Sequence, residues 1–257
     1  MSKVMLLSGT IMLSLFNFEN SIAEEYNLEN SLNTKTSFYD WHYSKYEEPG
    51  FMDVKSNPLS FSIGMRDETN IRKENQSSDS SISYNLEASF GLVKYTGSGT
   101  HNHNYYKFLG EGYLPISGTF YGGLGYRYLF DNFGPGSTST SAATYDRAST
   151  YLYLPIGYNA RQADGANLKF QYNYFISGQQ TSYISQVPGY LTDLENDQDS
   201  GYGLDISYTA PDGSWEAYYR YWSIEDSDIS SGVTVAGIIY GYEPKNETSE
   251  IGLRFNF

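Results

Sequence analysis

Three histidines are the chain's whole supply of side chains that ordinarily change charge near neutral pH. His101 and His103 stand one residue apart in "GTHNHNYY", a spacing that sets both imidazoles on one face of an extended segment, as a transition-metal ligand pair requires. No carboxylate adjoins them in sequence, so a solvated external turn is the competing reading. His42 lies two residues from Asp40 in "FYDWHYSKY", on the same side of a strand, where the two form either a satisfied pair or an acid–base couple. Asp193, Glu195, Asp197 and Asp199 alternate in "TDLENDQDSG", a spacing that matches part of a calcium loop. The glycine and the closing glutamate of such a loop are missing. A solvated acidic loop, or a cation bridge to phosphate groups outside the chain, are the alternatives. With no cysteine in the chain, disulfides and thiolate metal sites are excluded. The sequence points to no cofactor and to no catalytic residue.

The elements that would position these residues are strands. In "NLKFQYNYFISGQ", Leu168, Phe170, Tyr172, Tyr174 and Ile176 fall on one face, and Lys169, Gln171, Asn173, Ser177 and Gln179 on the other. The same alternation runs through "FYDWHYSKY", "LSFSIGMR", "ISYNLEASFGL", "FYGGLGYRYLF", "YGLDISYT", "WEAYYRYW" and the final "EIGLRFNF". It is weaker in "NYYKFLGEGYL" and "TYLYLPIGY". This predicts an all-β chain of about ten strands, with eight or twelve as alternatives, each near the roughly 9 to 11 residues of a tilted membrane strand. Short connections "PISG", "ARQADGA" and "APDGS" alternate with long polar ones near 132–148, 180–199 and 226–247. Bacterial outer-membrane barrels alternate short periplasmic turns with longer external loops in this way. "DETNIRKENQSSDS", near 67–80, is long for a periplasmic turn, so either the neighbouring strands extend beyond the membrane there or the register in the first third differs. The loop "DNFGPGSTSTSAATYDRAS" is mobile by composition.

Strand parity sorts the charges. Arg66, Lys107, Arg127, Lys169, Arg220 and Arg254 share the polar face with Asp40, Glu87, Glu111, Asp205, Glu216 and Glu250. Restricting charge to one face is what lipid contact demands, since Arg or Lys on the lipid side costs about 2–4 kcal/mol at mid-membrane. In a closed antiparallel up-and-down barrel of this size, a dozen charges joined by inward Tyr218, Trp222 and Phe175 would largely fill the lumen. Structural pairing and a narrow selective or proton-linked passage are the two readings of these charges.

Composition agrees: tyrosine supplies 27 of 257 residues and glycine 25, yet the apolar fraction is only 39%. One apolar face per strand needs no more than that. Residues 1–23 read as a cleaved secretory signal, with Lys3, the apolar "VMLLSGTIMLSLF" and small Ser21 and Ala23, which leaves a barrel domain over 24–257. Losing Lys3 and Glu19 leaves the formal charge at −14, a balance that argues against nucleic acid as a partner.

The closing strand carries a family resemblance. Ile251, Leu253, Phe255 and Phe257 resemble the assembly signal of bacterial outer-membrane β-barrel proteins, a porin-like superfamily in which the last strand alternates hydrophobics and ends on an aromatic. The resemblance implies residence in the outer membrane of a Gram-negative bacterium, with its lipids and lipopolysaccharide as surroundings. It also implies the barrel-assembly machinery and periplasmic chaperones as partners in biogenesis. Omptin proteases are similar in strand number, but they depend on a histidine at the outer rim. The three long loops here hold none. Lipid A deacylases and palmitoyl transferases also use a histidine, and no motif of theirs is visible. The expected function is a small porin-like or structural barrel presenting external loops, with an adhesin or surface interaction protein as the alternative and an enzyme acting on lipid A or peptides behind both.

Overall fold

The computed structural model describes residues 35–68, 71 and 82–257. The proposed signal segment lies outside the described residues. Sixteen strands follow in order among them: β1 (Lys35–Glu48), β2 (Met52–Ser56), β3 (Ser60–Asp67), β4 (Ser83–Gly97), β5 (Gly99–Ser117), β6 (Phe120–Asn132), β7 (Gly136–Ser137), β8 (Ala143–Thr144), β9 (Arg147–Arg161), β10 (Asn167–Ser182), β11 (Leu194–Gln198), β12 (Gly201–Thr209), β13 (Trp215–Ile224), β14 (Ser230–Thr234), β15 (Gly237–Gly241) and β16 (Asn246–Asn256). β2 with β3, and β11 with β12, are each one stave in two pieces. Ten antiparallel staves therefore form the ring β1, β2/β3, β4, β5, β6, β9, β10, β11/β12, β13, β16.

β16 closes the ring on β1 in register from Phe38↔Asn256 to Glu47↔Glu247. Ser37 and Phe257 exchange two backbone bonds at its end, 3.2 and 2.9 Å. Closure leaves no sheet edge inside the wall, as a bilayer requires. No helix among the described residues is long and apolar enough to cross a membrane.

The wall has the two faces the alternation predicts. Trp41, Ile63, Leu86, Phe108, Leu124, Ile156, Phe170, Ile206 and Leu253 are exposed on its outside. Aromatic pairs border this apolar band beside the short turns, where Phe120 packs on Tyr158 and Tyr208 on Trp215, and Tyr172 stacks on Tyr202 within it. An aromatic girdle of this kind marks an interface of a membrane barrel.

The inside is packed by a cross-strand rule. Eight inward aromatics each stand directly opposite a glycine on the neighbouring strand. The pairs are Phe38↔Gly64, Tyr105↔Gly91, Tyr113↔Gly123, Tyr121↔Gly157, Tyr153↔Gly125, Tyr151↔Gly178, Trp222↔Gly203 and Tyr218↔Gly252. A Cβ built at Gly64, Gly125, Gly157 or Gly252 would overlap the facing ring, so the ring lies flat on bare backbone. This explains why tyrosine and glycine dominate the composition together.

Two features depart from simple alternation. A bulge between Phe175 and Ser177 shifts the register of β10 against β9. Beyond it the inward residues are Gln180 and Ser182, and the expected inward Ser177 and Gln179 turn out of the lumen. An extra residue on one strand inverts parity from that point on. The second is the long connection after β3. Its described residues Glu68 and Ile71 are buried, Ile71 against Tyr113 and Tyr121, with the Ile71 carbonyl accepting from Asn159 Nδ2 at 2.9 Å. The pairing of β3 with β1 and β4 keeps the register of this third of the chain, and among the described residues of the connection Glu68 and Ile71 point into the barrel.

The pairing rule is testable at Gly252. Gly252→Val should displace Tyr218 and destabilise the barrel by about 1–3 kcal/mol. Ile251→Val, one residue along on the outer wall, should stay within about 0.5 kcal/mol. Urea-dependent loss of the fast-migrating folded band on unheated gels measures both.

Candidate functional site: the charged lumen and its two ends

All twelve parity-assigned charges face the lumen. Asp205 is the least enclosed, and the other eleven are buried. They gather because alternate inward positions on adjacent strands stand side by side. Asp40, Arg254 and Glu216 form one row across β1, β16 and β13. Glu250, Arg220 and Asp205 form a second across β16, β13 and β12.

Glu87 on β4 ties the rows together across the lumen. Its carboxylate meets Arg254 Nη2 at 2.7 Å, Arg220 Nη1 at 3.2 Å and Lys107 Nζ at 3.3 Å. Lys107 also reaches Glu250 at 2.6 Å, and Arg66 reaches Glu216 at 2.6 Å. Arg254 is stacked on Phe38, 3.9 Å from the ring centroid, and also bonds Glu216 and Asp40. In a water-poor interior each of these ions needs its partners, because an isolated buried charge costs far more than it contributes.

Two of the twelve make no ion pair among the described residues. Glu111 is held by hydroxyls and amides: Tyr113 at 2.6 Å, Tyr153 at 3.0 Å, Gln171 at 2.8 Å and Asn85 at 3.2 Å. The Arg127 guanidinium lies over Tyr151 and Trp222 at 5.1 and 5.8 Å. Its Nε and Nη1, and Thr248 Oγ1, bond no protein atom, and both residues line a small pocket of about 20 Å³. That volume fits roughly one water. A second cavity of about 10 Å³ lies among Arg66, Glu111, Lys169 and Arg254.

Asp40 and His42 form the expected pair, Nδ1 to Oδ1 at 2.9 Å, and Tyr105 Oη lies 2.7 Å from Nε2. Both imidazole nitrogens are engaged deep in the wall. His101 and His103 do share a face, but the expected solvated turn is only Gly97–Gly99, and both residues lie in β5. His103 is buried, its ring 3.7 Å from that of Phe133 and its Nε2 3.3 Å from Asp131 Oδ1. That carboxylate is near in space and 28 residues away in sequence, so the local spacing gave no sign of it.

Asp193, Glu195, Asp197 and Asp199 do not converge. Asp193 accepts from the Ser185 backbone N–H, and Asp197 from Gln179, on a segment that pairs with β10 as β11. Among the described residues no three or more His, Cys, Asp or Glu are grouped to hold a metal ion.

Each end of the lumen has a closure that parity did not foresee. At the turn end, Glu68 reaches in to bond Lys169 at 3.1 Å. At the loop end, Glu243 from the 225–245 connection enters the mouth and pairs with Arg147, which Glu48 also holds at 2.7 Å. Tyr46 Oη donates to Glu243 at 2.9 Å. Burial, and after it the nearby Glu48 carboxylate, push the Glu243 carboxyl up to about 7 against the pull of Arg147.

The outer loops interlock over this mouth. The Gly/Ser/Thr-rich loop, mobile by composition, is instead pinned to the β4–β5 turn: Thr138 Oγ1 donates to Ser98 O at 2.6 Å, and Ser139 N–H to Thr100 O at 3.0 Å. Gly99 allows this with φ +90°, since its Cβ position is crowded by three hydroxyl side chains. Gln186 and Asp146 exchange two bonds between neighbouring loops, 2.7 and 2.9 Å.

The closed ring, apolar wall and polar interior define the chain's class, an outer-membrane-type β-barrel. No family model matches the chain, and no curated protein matches it. Solved structures similar to it include the outer membrane protease OmpT from Escherichia coli, at 12% identity and TM-score 0.42, covering 86% of this chain and 97% of that one. The β domain of the Bordetella autotransporter BrkA is similar at 9% identity and TM-score 0.41, covering 86% and 99%. An outer membrane channel from Pseudomonas putida F1 is similar at 8% and 0.38, covering 91% and 100%.

Two predictions follow from the network. Glu87→Leu strips three cations of a shared partner and should cost about 3–5 kcal/mol in urea unfolding; adding Lys107→Met should recover part of the loss. For Glu243, the seated loop holds the proton more tightly than a free carboxyl near 4.5 would. Seating is then most favourable at low pH and weakens as pH rises from about 4.5 to 7. Hydrogen exchange over 237–243, corrected for intrinsic rates, should be faster at pH 8 than at pH 5, and Glu243→Gln should remove that difference.

Proposed function

We propose that this chain is an integral outer-membrane β-barrel closed to solutes, and that it acts through the external loops it holds rigid. One observation carries the reading. The Glu87 network crosses the lumen at mid-height, with Glu68 and Ile71 filling one end and the Glu243–Arg147–Glu48 cluster the other. A porin needs a continuous wet path, which wider barrels provide and a filled one of ten staves does not. The structural branch of the expected function is therefore favoured over the porin-like one.

In this reading the short turns face the periplasm and the three long loops the medium. Ile251, Leu253 and Phe255 lie in the outer-wall register of β16 and Phe257 directly follows it, where lipid surrounds them and the assembly machinery meets them during insertion. The loops are the part free to meet other molecules.

Conductance is the test. Purified, heat-modifiable protein inserted in planar bilayers should give no steady current; reproducible ohmic steps from the wild-type chain would sink the closed-barrel reading.

A further inference from the structure

The outermost hairpin is built unlike the rest of the loop end. β14 and β15 form a two-stranded sheet in register from Ser230↔Gly241 to Thr234↔Gly237. The outer edge of β14 is covered by the 189–192 segment: Leu191 N–H donates to Val233 O at 2.8 Å, and Val233 N–H to Thr192 Oγ1 at 2.8 Å. Among the described residues no strand pairs with the other edge of β15.

Register tells which groups that edge presents. Val233 turns its N–H and C=O away from β15, so its opposite residue Ile238 stands in a non-hydrogen-bonded pair and turns its own outward. Two residues on, Tyr240 does the same. Ile238 and Tyr240 also expose their side chains, 65% and 73%, beside half-exposed Val233. One short segment thus offers open backbone groups and a bare apolar face together. Proteins ordinarily protect such an edge with lysine, proline or a bulge, and β15, "GIIYG", has none of these.

The surroundings are acidic. Glu225, Asp226 and Asp228 precede the hairpin, and Glu195, Asp197 and Asp199 are exposed on the neighbouring connection. The one cation in these two connections, Lys245, is bound to Glu225 at 2.9 Å. A second copy of the chain, or an anionic lipid headgroup, would meet like charge here. A cationic chain would meet complementary charge.

We propose that the open edge of β15 takes an extended segment of a protein partner, one that alternates apolar residues with lysine or arginine, as an added strand. Backbone bonds to Ile238 and Tyr240 supply affinity, the apolar face selects alternate side chains, and the acidic rim selects the cationic ones. The proposal rests on the reading that the loop end faces the medium.

The test uses the full chain in detergent and a fluorescent peptide of alternating valine and lysine, read by anisotropy. Binding should weaken with added salt, and should fall by at least roughly tenfold when alternate peptide nitrogens are methylated, since those lose their donors. Ile238→Lys with Tyr240→Lys should weaken it similarly while leaving heat-modifiable migration intact. Equal binding of the methylated peptide, equal binding of a valine–glutamate peptide, or no binding at millimolar concentration overturns the proposal. So does concentration-dependent self-association that the same double variant abolishes, or capture by anionic vesicles that peptide does not compete. Labelling of Ser231→Cys on intact cells by an impermeant maleimide tests the orientation separately; its failure would strike the surface reading while the purified-protein result stands.

Discussion

The structure depends on one carboxylate that cannot be left unpaired. Glu87 sits in the barrel wall with its side chain in the lumen, where Lys107 from the neighbouring β5 and Arg220 and Arg254 from across the barrel surround it. Lipid outside the wall forbids these charges from turning outward, and a filled interior denies them water. They must meet each other, and meeting draws β4 and β5 toward β13 and β16 across the barrel. A ring of hydrogen-bonded staves could distort without changing its pairing. The transverse ion pairs fix its cross-section.

What surrounds the network follows from geometry. Side chains in a ten-stave barrel must fill the space that charges leave, and flat rings do so only where the facing strand lacks a Cβ. The eight glycine–aromatic pairs meet that condition at successive heights, and several of the rings serve the charges directly. Phe38 and Tyr218 flank Arg254, Tyr151 and Trp222 lie under Arg127, and Tyr113 and Tyr153 donate to Glu111. Packing and electrostatics are thus one arrangement, in which an aromatic ring gives bulk to the lumen and a polar or π contact to an ion.

Period two was enough to find all ten staves and to turn twelve charges inward, because parity is a local property of a strand. It was not enough where the chain leaves local order. The bulge at Phe175 inverts parity without any residue that announces it. Glu68, Glu243 and Asp131 reach their partners Lys169, Arg147 and His103 through loop return or strand pairing, and sequence distance hides such contacts. The paired His42 and Asp40 were legible because they share one strand and one face. The acidic run at 193–199 was legible as spacing but not as a site, since a strand carries alternate carboxylates side by side without turning them toward one point.

The two ends of the lumen are closed by different physics, and the difference bears on what the barrel can do. At the turn end Ile71 packs on two tyrosines and Glu68 forms one ion pair with Lys169, so charge there balances one to one. At the loop end two carboxylates share one guanidinium, so the closure contains one negative charge too many unless a proton is held there. Glu243 belongs to the same connection as β14 and β15, two residues beyond the end of the hairpin. The seating of that connection therefore depends on the proton at Glu243. Within one loop end, then, the 132–148 and 180–199 connections are interlocked by neutral and Asp–amide hydrogen bonds, while the 225–245 connection is seated by a carboxyl that binds a proton near neutral pH.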